Sequence, residues 1–299
     1  MSQYVIGIDV GGTQIRVALV DENLQIVTRE SAATRDVTTV DDFVTTIKSM
    51  IEIVDPKQLA KTIGIVVPTP WKDDMLYFRD ATNVPFLENV LVADLKAQFP
   101  NHELFFENDV NIVALLESQL PHRDKNASLM YITISTGIGS GIVINGQVWQ
   151  GAHGYAGEVG NMIVSNGDCE LNIMLEDVCS GLALDIAAQT LYGPGTNAET
   201  LFEAHARGDK YAVDTIDSWF ITLSDAFASI MHVINPETIV LGGSVINNNQ
   251  WLIKELADKT RAKLFENLRE HLKLELTHYG GDSGIFGGAQ LCLIKQKRG

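Results

Sequence analysis

Short apolar runs and helix-length amphipathic segments alternate along this chain of 299 residues. Residues 40–53 repeat apolar side chains at helical spacing, whereas residues 63–67 form an unbroken apolar run of strand length. The predicted strands are 4–9, 15–20, 24–29, 63–67, 104–109, 129–134, 142–144, 238–241 and 273–278. The predicted helices are 40–53, 89–98, 110–119, 213–234, 250–266 and a terminal helix that opens near residue 284. Mixed strands and helices throughout the chain predict an α/β fold.

A Gly-Gly-Thr turn joins the first two predicted strands and follows the carboxylate of Asp9. Because Gly11 and Gly12 carry no side chain, backbone N–H groups of this turn, which Thr13 completes, can approach a bound anion. Asp9, at the end of a strand, is within reach of a metal ion that phosphates hold. The turn therefore predicts a nucleotide phosphate site, and an ordinary hairpin turn is the alternative.

A second glycine-rich turn, Ser135–Gly141, follows the predicted strand 129–134 and contains Thr136, Gly137 and Gly139. It repeats the strand and turn of the N-terminal half, which indicates two related domains that face one cleft. The predicted domains are residues 1–116 with 286–299, and residues 117–285.

Two further pairs complete the parts that phosphoryl transfer needs, which are phosphate positioning, charge neutralisation and a base for the acceptor hydroxyl. Gly242 and Gly243 follow a buried strand and precede a helix, where an adenosine could lie. Asn108 and Asp109 stand where a strand enters a helix, and they offer an amide to orient a hydroxyl and a carboxylate to take its proton. Each pair has a structural alternative, turn glycines for Gly242 and Gly243 and a helix N-cap for Asp109, but the four pieces together favour a phosphotransferase.

The chain carries 38 acidic and 22 basic residues, which gives a net charge of −16. This field repels nucleic acids and anionic membrane surfaces, but it is compatible with a Mg-nucleotide site built from backbone N–H groups. The three cysteines, Cys169, Cys179 and Cys292, are sparse and odd in number, which fits a reducing compartment. There is no signal-peptide pattern and no apolar run near the ~20 residues of a membrane helix. The sequence therefore predicts a cytoplasmic protein with no nucleic-acid or membrane partner.

Longer motifs carry a resemblance to a known family over nearly the whole chain. They are Asp9–Thr13 with Arg16, Glu107–Asn111, Ser135–Gly141 through Gly146, Gly151–Gly160, Leu175–Gly181 and Asn235–Gly243. With these motifs the chain resembles the ROK-family sugar kinases, which have two actin-like (ribonuclease H-like) domains, each a mixed sheet flanked by helices. The resemblance implies a homodimeric kinase that transfers the γ-phosphoryl group of MgATP to a hydroxyl of a hexose, the 6-hydroxyl.

At matching positions the resemblance also implies individual roles. Asp109 would be the general base that deprotonates the sugar hydroxyl, and Asp9 would hold Mg²⁺ through water. The residues that would hydrogen-bond the sugar's other hydroxyls are Asn83, Asn108, Glu158, Asn161 and Glu176. Carboxylates and amides suit this task, because hydroxyls both donate and accept hydrogen bonds. For Glu158 and Glu176 the alternative is that they are surface acids of an acidic chain.

The chain departs from the family's zinc motif. Many members carry a His after Glu-x-Gly, where this chain has Asn161, and a cysteine-rich loop, where residues 165–176 contain a single cysteine, Cys169. A structural zinc ion needs four ligands, usually Cys or His. We therefore expect no zinc.

The sugar itself is left open. Residues 149–154 and 81–85 look most like those of D-allose kinases, while glucose, fructose, N-acetylmannosamine and β-glucoside kinases share the same frame. A catalytically silent sugar-binding or regulatory protein is the alternative from another class, and the intact Asp9 and Asp109 speak against it. The family's repressors carry a DNA-binding domain before the first turn, whereas here that turn begins at residue 9, which favours the enzyme.

Overall fold

The computed structural model describes residues 3–164 and 172–296. Its strands are β1 (Tyr4–Val10), β2 (Gln14–Asp21), β3 (Ile26–Ala33), β4 (Thr62–Val67), β5 (Glu103–Asn108), β6 (Leu129–Ile134), β7 (Ile138–Ile144), β8 (Gln147–Val148), β9 (Ile163–Val164), β10 (Ile173–Met174), β11 (Thr238–Gly242) and β12 (Leu274–Leu276). Its α-helices are α1 (Val40–Val54), α2 (Val92–Ala97), α3 (Asp109–Ser118), α4 (Leu175–Cys179), α5 (Gly181–Tyr192), α6 (Ala198–Ala206), α7 (Lys210–Val233), α8 (Ser244–Asn248), α9 (Trp251–Lys263) and α10 (Ser283–Gln296). Within these residues no helix combines the length and apolarity that crossing a membrane requires.

The chain divides into two compact structural units. The first unit contains the described residues of Met1–Pro121, Val148–Ala156 and Tyr279–Gly299. Its sheet has the order β3-β2-β1-β4-β5. Strand β1 pairs antiparallel with β2 and parallel with β4, and β4 pairs parallel with β5. β1 and β4 are buried almost throughout, as central strands are when both faces of a sheet are covered.

Helices α1 and α10 belong to this unit. α1 begins at a capping box in which Thr39 and Asp42 satisfy each other's backbone N–H groups, and it buries one apolar side that includes Phe43 and Ile47. α10 packs closely on β1 and β4, because glycines face each other there. A Cβ at Gly64 would lie 1.9 Å from the carbonyl oxygen of Gly288, so any side chain at Gly64 would push the helix off the sheet.

The second unit contains the described residues of His122–Gln147 and Gly157–His278, and its sheet has the order β12-β11-β6-β7-β8. The β6-β7 hairpin is antiparallel, and β11 runs parallel to both β6 and β12. From β8 to β12 this is the strand order of the first sheet, with a hairpin followed by two parallel strands. The expected α/β fold with two mixed sheets flanked by helices is confirmed.

The unit boundaries differ from the expected domain boundaries. The first break falls after Pro121, five residues beyond 116, and the last falls before Tyr279, seven residues ahead of 286. The segment Val148–Ala156, which we expected in the second domain, packs with the first unit because its side chains and backbone contact residues there. The division into domains that share a cleft stays a prediction.

Three predicted elements need correction, and three helices between residues 175 and 206 were missed. β3 starts at Ile26 and not at residue 24, because the Asp21 carboxylate accepts the N–H groups of Asn23 and Gln25 and holds a turn there. β7 starts at Ile138 and not at residue 142, because the turn closes within Ser135–Gly137. The helix expected over 89–98 is the shorter α2, since Asn89 has a φ of +64°. The sequence reasoning did not predict α4, α5 or α6.

Candidate active site

The first glycine turn joins β1 to β2 and is held from two sides. The Gly11 N–H donates to the Gln14 carbonyl oxygen at 2.9 Å, and the Thr34 hydroxyl donates to the Gly11 carbonyl oxygen at 2.6 Å. The Thr34 N–H also donates to the Thr13 carbonyl oxygen at 2.9 Å. The Gly11 N–H is already hydrogen-bonded within the hairpin. An anion at this turn would therefore accept hydrogen bonds from the N–H groups of Gly12 and Thr13, which are exposed.

Asn83 lies beside this turn. A Cβ at Gly12 would meet the Asn83 carbonyl oxygen at 3.7 Å and its Cβ at 3.8 Å, which is ordinary contact. Among the described residues no contact therefore excludes a side chain at position 12, and the space there is open to a ligand. The structure thus brings a predicted phosphate-binding residue next to a predicted sugar-binding residue.

Asp9 ends β1 as a nearly buried carboxylate, 7% exposed. Arg16, its register partner across the hairpin, forms an ion pair with it and also reaches Asp282 at 3.5 Å. Burial raises the pKa of Asp9 above its ordinary value, and the Arg16 charge and hydrogen bond oppose that rise. The start of α10 closes on Asp9, since a Cβ at Gly284 would lie 2.3 Å from the Asp9 Cγ.

This donor set fits Mg²⁺ carried in by a nucleotide. Magnesium in such sites takes one or two protein carboxylates and completes its shell with phosphate oxygens and water. Asp9 supplies one carboxylate, and Asp282 and the Gly281 carbonyl oxygen hold Arg16 beside it, so the guanidinium has other partners when Asp9 faces a cation. Sequence reasoning quoted Arg16 only within the first motif and gave it no role, whereas the observed hairpin register places it opposite Asp9.

Asn108 and Asp109 form the junction of β5 and α3. The Asn108 carbonyl oxygen Oδ1 accepts the N–H groups of Val110 at 3.0 Å and Asn111 at 3.1 Å, so this side chain is the N-cap of the helix. Its amide Nδ2 donates to the Thr69 carbonyl oxygen at 3.0 Å, which leaves one amide hydrogen for a ligand. Asp109, the first residue of α3, is half-buried and accepts the Val110 N–H at 2.9 Å.

Glu107 is the functional candidate that sequence reasoning missed. It is 4% exposed and accepts hydrogen bonds from the Asn108 N–H at 2.9 Å, the Asn111 amide at 3.1 Å and the Gln150 amide at 2.8 Å. Burial raises its pKa to about 7, against the lowering effect of these hydrogen bonds. Its signal in the sequence was a carboxylate placed directly after the buried run Leu104–Phe106.

The parallel strands bring these groups to one edge of the first sheet. Asp9 is level with Val66 on β4, and Val66 is level with Glu107 on β5. With a strand spacing of about 4.8 Å, β1 and β5 are roughly 10 Å apart. The Asp9 turn and the Asn108–Asp109 junction therefore lie at the same edge, on either side of β4.

In the second unit, the second glycine turn is held by Glu176. The Glu176 carboxylate oxygen Oε2 accepts the Ile138 N–H at 2.7 Å, and a Cβ at Gly137 would lie 2.3 Å from that oxygen. Glu176 is exposed, so its other oxygen can reach a ligand. Gly139 lies within β7, paired with Thr133, and is outside the turn in which it was expected.

Glu158 and Asn161 are neighbours in the second unit. The Asn161 amide lies 3.5 Å from the Glu158 carboxylate across the short 3₁₀ helix Val159–Asn161, and both side chains are exposed. Two predicted sugar-binding residues therefore form one local group. The residues 165–171, on which much of the zinc expectation depends, lie outside the described residues, and that expectation stays a prediction.

A cavity of about 590 Å³ lies in the second unit beside Thr136. Its walls come from α5, α6, α8 and the start of α9, including Asp185, Phe202 and Trp251. This volume is in the range of small-molecule sites. Gly243 shapes the wall but is not part of its lining: its φ is +88°, and a Cβ there would lie 2.3 Å from the Ile134 carbonyl oxygen. The missed helices α5 and α6 thus build much of this cavity.

Comparisons with known proteins agree with this architecture. The model of the ROK family matches residues 5–295. The chain is 27% identical to a glucokinase of Thermotoga maritima, over 99% of this chain and 98% of that one. It is 25% identical to an N-acetyl-D-glucosamine kinase of Pasteurella multocida, over 97% and 99%. Among solved structures, a ROK hexokinase from Thermus thermophilus superposes with a TM-score of 0.85 at 25% identity, over 99% of this chain and 100% of that chain.

Proposed function

The chain belongs to the ROK family, and we propose that it is an ATP-dependent hexose kinase that transfers the γ-phosphoryl group to the 6-hydroxyl of its sugar. Relatives that span nearly its whole length are named as kinases of glucose and of N-acetylglucosamine. The acceptor is a free hexose or N-acetylhexosamine.

One observation carries the proposal: the half-buried carboxylate of Asp109 and the buried carboxylate of Asp9 stand at the same edge of one sheet. Asp109 follows β5 and Asp9 ends β1, roughly two strand spacings apart. Phosphoryl transfer asks for a base at the acceptor and a cation at the phosphates, separated by the transferred group. Asp9 and Asp109 meet this demand within the first unit alone.

Asp109 is the general base. Its position at the start of α3 makes it half-accessible, and the Asn108 cap fixes the turn that presents it. The remaining amide hydrogen of Asn108 donates to a sugar hydroxyl, and the exposed Asn83 beside the first turn contacts another. As the acceptor oxygen attacks, its proton passes to the Asp109 carboxylate.

The first turn and Asp9 receive the phosphates. The N–H groups of Gly12 and Thr13 would donate to phosphate oxygens, and Asp9 would hold Mg²⁺ through water. Bound Mg²⁺ would neutralise charge that develops on the β- and γ-phosphate oxygens. In the second unit, Thr136 and Gly137 hold phosphates and the cavity lined by Trp251 takes the adenosine. There Glu158, Asn161 and Glu176 hydrogen-bond sugar hydroxyls.

The test is MgATP-dependent release of ADP across a panel of sugars: D-glucose, D-allose, D-fructose, N-acetylglucosamine, N-acetylmannosamine and a β-glucoside. The variant Asp109→Asn keeps the side-chain shape and loses the base, so turnover should fall by at least about 10³-fold. Calorimetry should show that its sugar affinity stays within about tenfold of wild type. Asp94→Asn, the same change at an exposed residue of α2, is the matched control and should leave turnover unchanged.

The possible outcomes distinguish the base assignment, the kinase activity and the position of phosphorylation. Near-normal turnover of Asp109→Asn would falsify the base assignment. A wild type that binds a sugar by calorimetry but releases no ADP with any of them would instead be a silent sugar-binding protein. Phosphorylation at a hydroxyl other than the sixth, read from the product by NMR, would overturn the regiochemistry alone.

A further inference from the structure

Glu107 joins two parts of the first unit that are distant in sequence. One carboxylate oxygen, Oε1, accepts the Asn108 N–H and the Asn111 amide at the junction that presents Asp109. The other, Oε2, accepts the Gln150 amide at 2.8 Å. Gln150 lies 43 residues further along the chain, so this single side chain bridges the catalytic junction to a separate segment.

That segment is Val148–Ala156, which we call the strap. It leaves β8 and packs with the first unit at three points. Gln150 bonds Glu107, the Tyr155 hydroxyl donates to the Asp80 carboxylate, and the Gly154 backbone packs on that of Trp71. At Gly154 φ is +86° and a Cβ would lie 3.1 Å from the Trp71 carbonyl oxygen, so the fit is tight there.

Of the two hydrogen bonds among these contacts, the one to Glu107 is the more buried. Tyr155 and Asp80 are both exposed, whereas Glu107 is 4% exposed. A hydrogen bond to a buried carboxylate oxygen is worth more than one to an exposed group, because breaking it leaves a buried acceptor unsatisfied. Loss of the Gln150 bond therefore loosens the strap more than loss of the Tyr155 bond.

The strap also leads directly into the predicted sugar site, because Ala156 is followed by Gly157 and Glu158. On the other side of the Glu107–Gln150 hydrogen bond, Glu107 holds the junction that presents the predicted base, Asp109. Both ends of the Glu107–Gln150 contact thus belong to sugar-handling segments. The nucleotide groups, Asp9 and the first turn, have their own supports in Arg16 and Thr34.

We propose that Glu107 and Gln150 are positioning residues, whose hydrogen bond holds the strap and the Asp109 turn in one arrangement and thereby sets the affinity for the sugar. This inference rests on the proposed function. It requires that the donor on Gln150 be an amide. A carboxylate at position 150 would oppose Glu107, and the pair would share one proton at low pH and repel at high pH.

Other titratable groups on the elements packed against Glu107 bear on its pH dependence. They are Asp109 on α3, His153 in the strap, and Asp73 in the segment after β4. Asp73 forms an ion pair with Lys295. Each of these groups is unchanged in all variants below. Differences between the variants in their pH profiles therefore report position 107 and position 150.

The experiment exchanges the two side chains. Three variants are compared with wild type, Glu107→Gln, Gln150→Glu and the double exchange Glu107→Gln/Gln150→Glu, at pH 6 and pH 8. Two matched controls make the same changes at exposed positions, Glu103→Gln on β5 and Gln147→Glu on β8. The readouts are KM for sugar, KM for ATP, kcat, sugar affinity by calorimetry, and amide hydrogen exchange of the strap.

We expect Gln150→Glu to raise the sugar KM at least about tenfold between pH 6 and pH 8, because the shared proton is lost over that interval. The KM for ATP should change less than about twofold. Glu107→Gln alone should raise the sugar KM only about two- to fivefold, since the Gln150 amide can turn and accept from the new amide. The double exchange restores one amide facing one carboxylate, so its sugar KM should return to within about threefold of wild type at both pH values.

Rescue separates positioning from general damage. A sugar KM of Gln150→Glu that is the same at pH 6 and pH 8, or a double exchange as impaired as Gln150→Glu, would overturn the proposal. Equal rises in the KM for ATP and for sugar would also overturn it. If wild type phosphorylates none of the sugars, the proposed function fails by itself. Faster exchange of the strap amides in Gln150→Glu, reversed in the double exchange, would still report the contact.

Discussion

Replacing Glu107 with glutamine should change how the stability of the first unit depends on pH. Glu107 is the acid that burial perturbs most clearly near the site, and its pKa of about 7 compares with an ordinary value of 4.5. The folded protein therefore keeps a proton that the unfolded chain releases. Glutamine has nearly the same shape and cannot ionise.

The sign follows from linkage. A group whose pKa is higher in the folded state contributes stability that is fully present below its unfolded pKa and is lost as the pH rises through its folded pKa. The shift of 2.5 units, from 4.5 to about 7, corresponds to about 3 kcal/mol in full. About 2.5 kcal/mol of this falls between pH 5 and pH 8. Relative to Glu107→Gln, wild type should lose that amount of its free energy of unfolding over this interval.

Urea unfolding of both proteins at pH 5, 6, 7 and 8 measures the difference. Glutamine itself adds a constant offset, so the quantity of interest is the change of the difference with pH, not its size at one pH. Glu103→Gln on the same strand is the control, because Glu103 is exposed. A difference between wild type and Glu107→Gln that stays constant within about 0.5 kcal/mol from pH 5 to pH 8 would refute the reasoning.

Two further predictions concern glycines whose missing side chain leaves space for a neighbouring carboxylate. Gly137→Ala places a methyl group 2.3 Å from Glu176, so it should displace that carboxylate and raise the KM for both ATP and sugar by at least about tenfold, as steady-state kinetics would show. Gly284→Ala places a methyl group equally close to Asp9 and should raise the Mg²⁺ concentration needed for half-maximal activity, with calorimetric sugar affinity unchanged. Gly280→Ala is the control for both, since a Cβ there meets nothing within 4 Å; if either test variant behaves like it, the corresponding contact has no role.

Local patterns were enough to predict the elements that surround the first turn. The hairpin of β1 and β2, the amphipathic α1 and the buried β4 each express their structure within about a dozen residues. The repeated strand–turn–strand predicted two related domains, and the structure has two sheets with the same strand order. The junction Asn108–Asp109 was identified as a site, but the N-cap alternative was given to Asp109, whereas Asn108 is the N-cap and Asp109 is the first residue of the helix.

The family motifs implied roles for individual residues, but they could not show which groups each side chain is hydrogen-bonded to. Asn108 was assigned to the sugar, and the structure shows that its oxygen caps α3 and leaves one amide hydrogen for a ligand. Gly139 was assigned to the turn, and it lies in β7. The bonding partners of a side chain and its place in a turn or a strand depend on where the turn closes. A shift of one residue in the strand register changes both.

The sequence alone thus determined the fold class and the order of most elements, since these depend on neighbours in the chain, and it predicted the roles of the two carboxylates, Asp9 and Asp109. Tertiary structure decided the contacts between distant segments. It buried Glu107 and set its pKa, brought Gln150 to it across 43 residues, and built a cavity from α5 and α6. Burial and long-range hydrogen bonds belong to the packed chain, because the desolvation that makes Glu107 unusual exists only when β5, α3 and the strap enclose it.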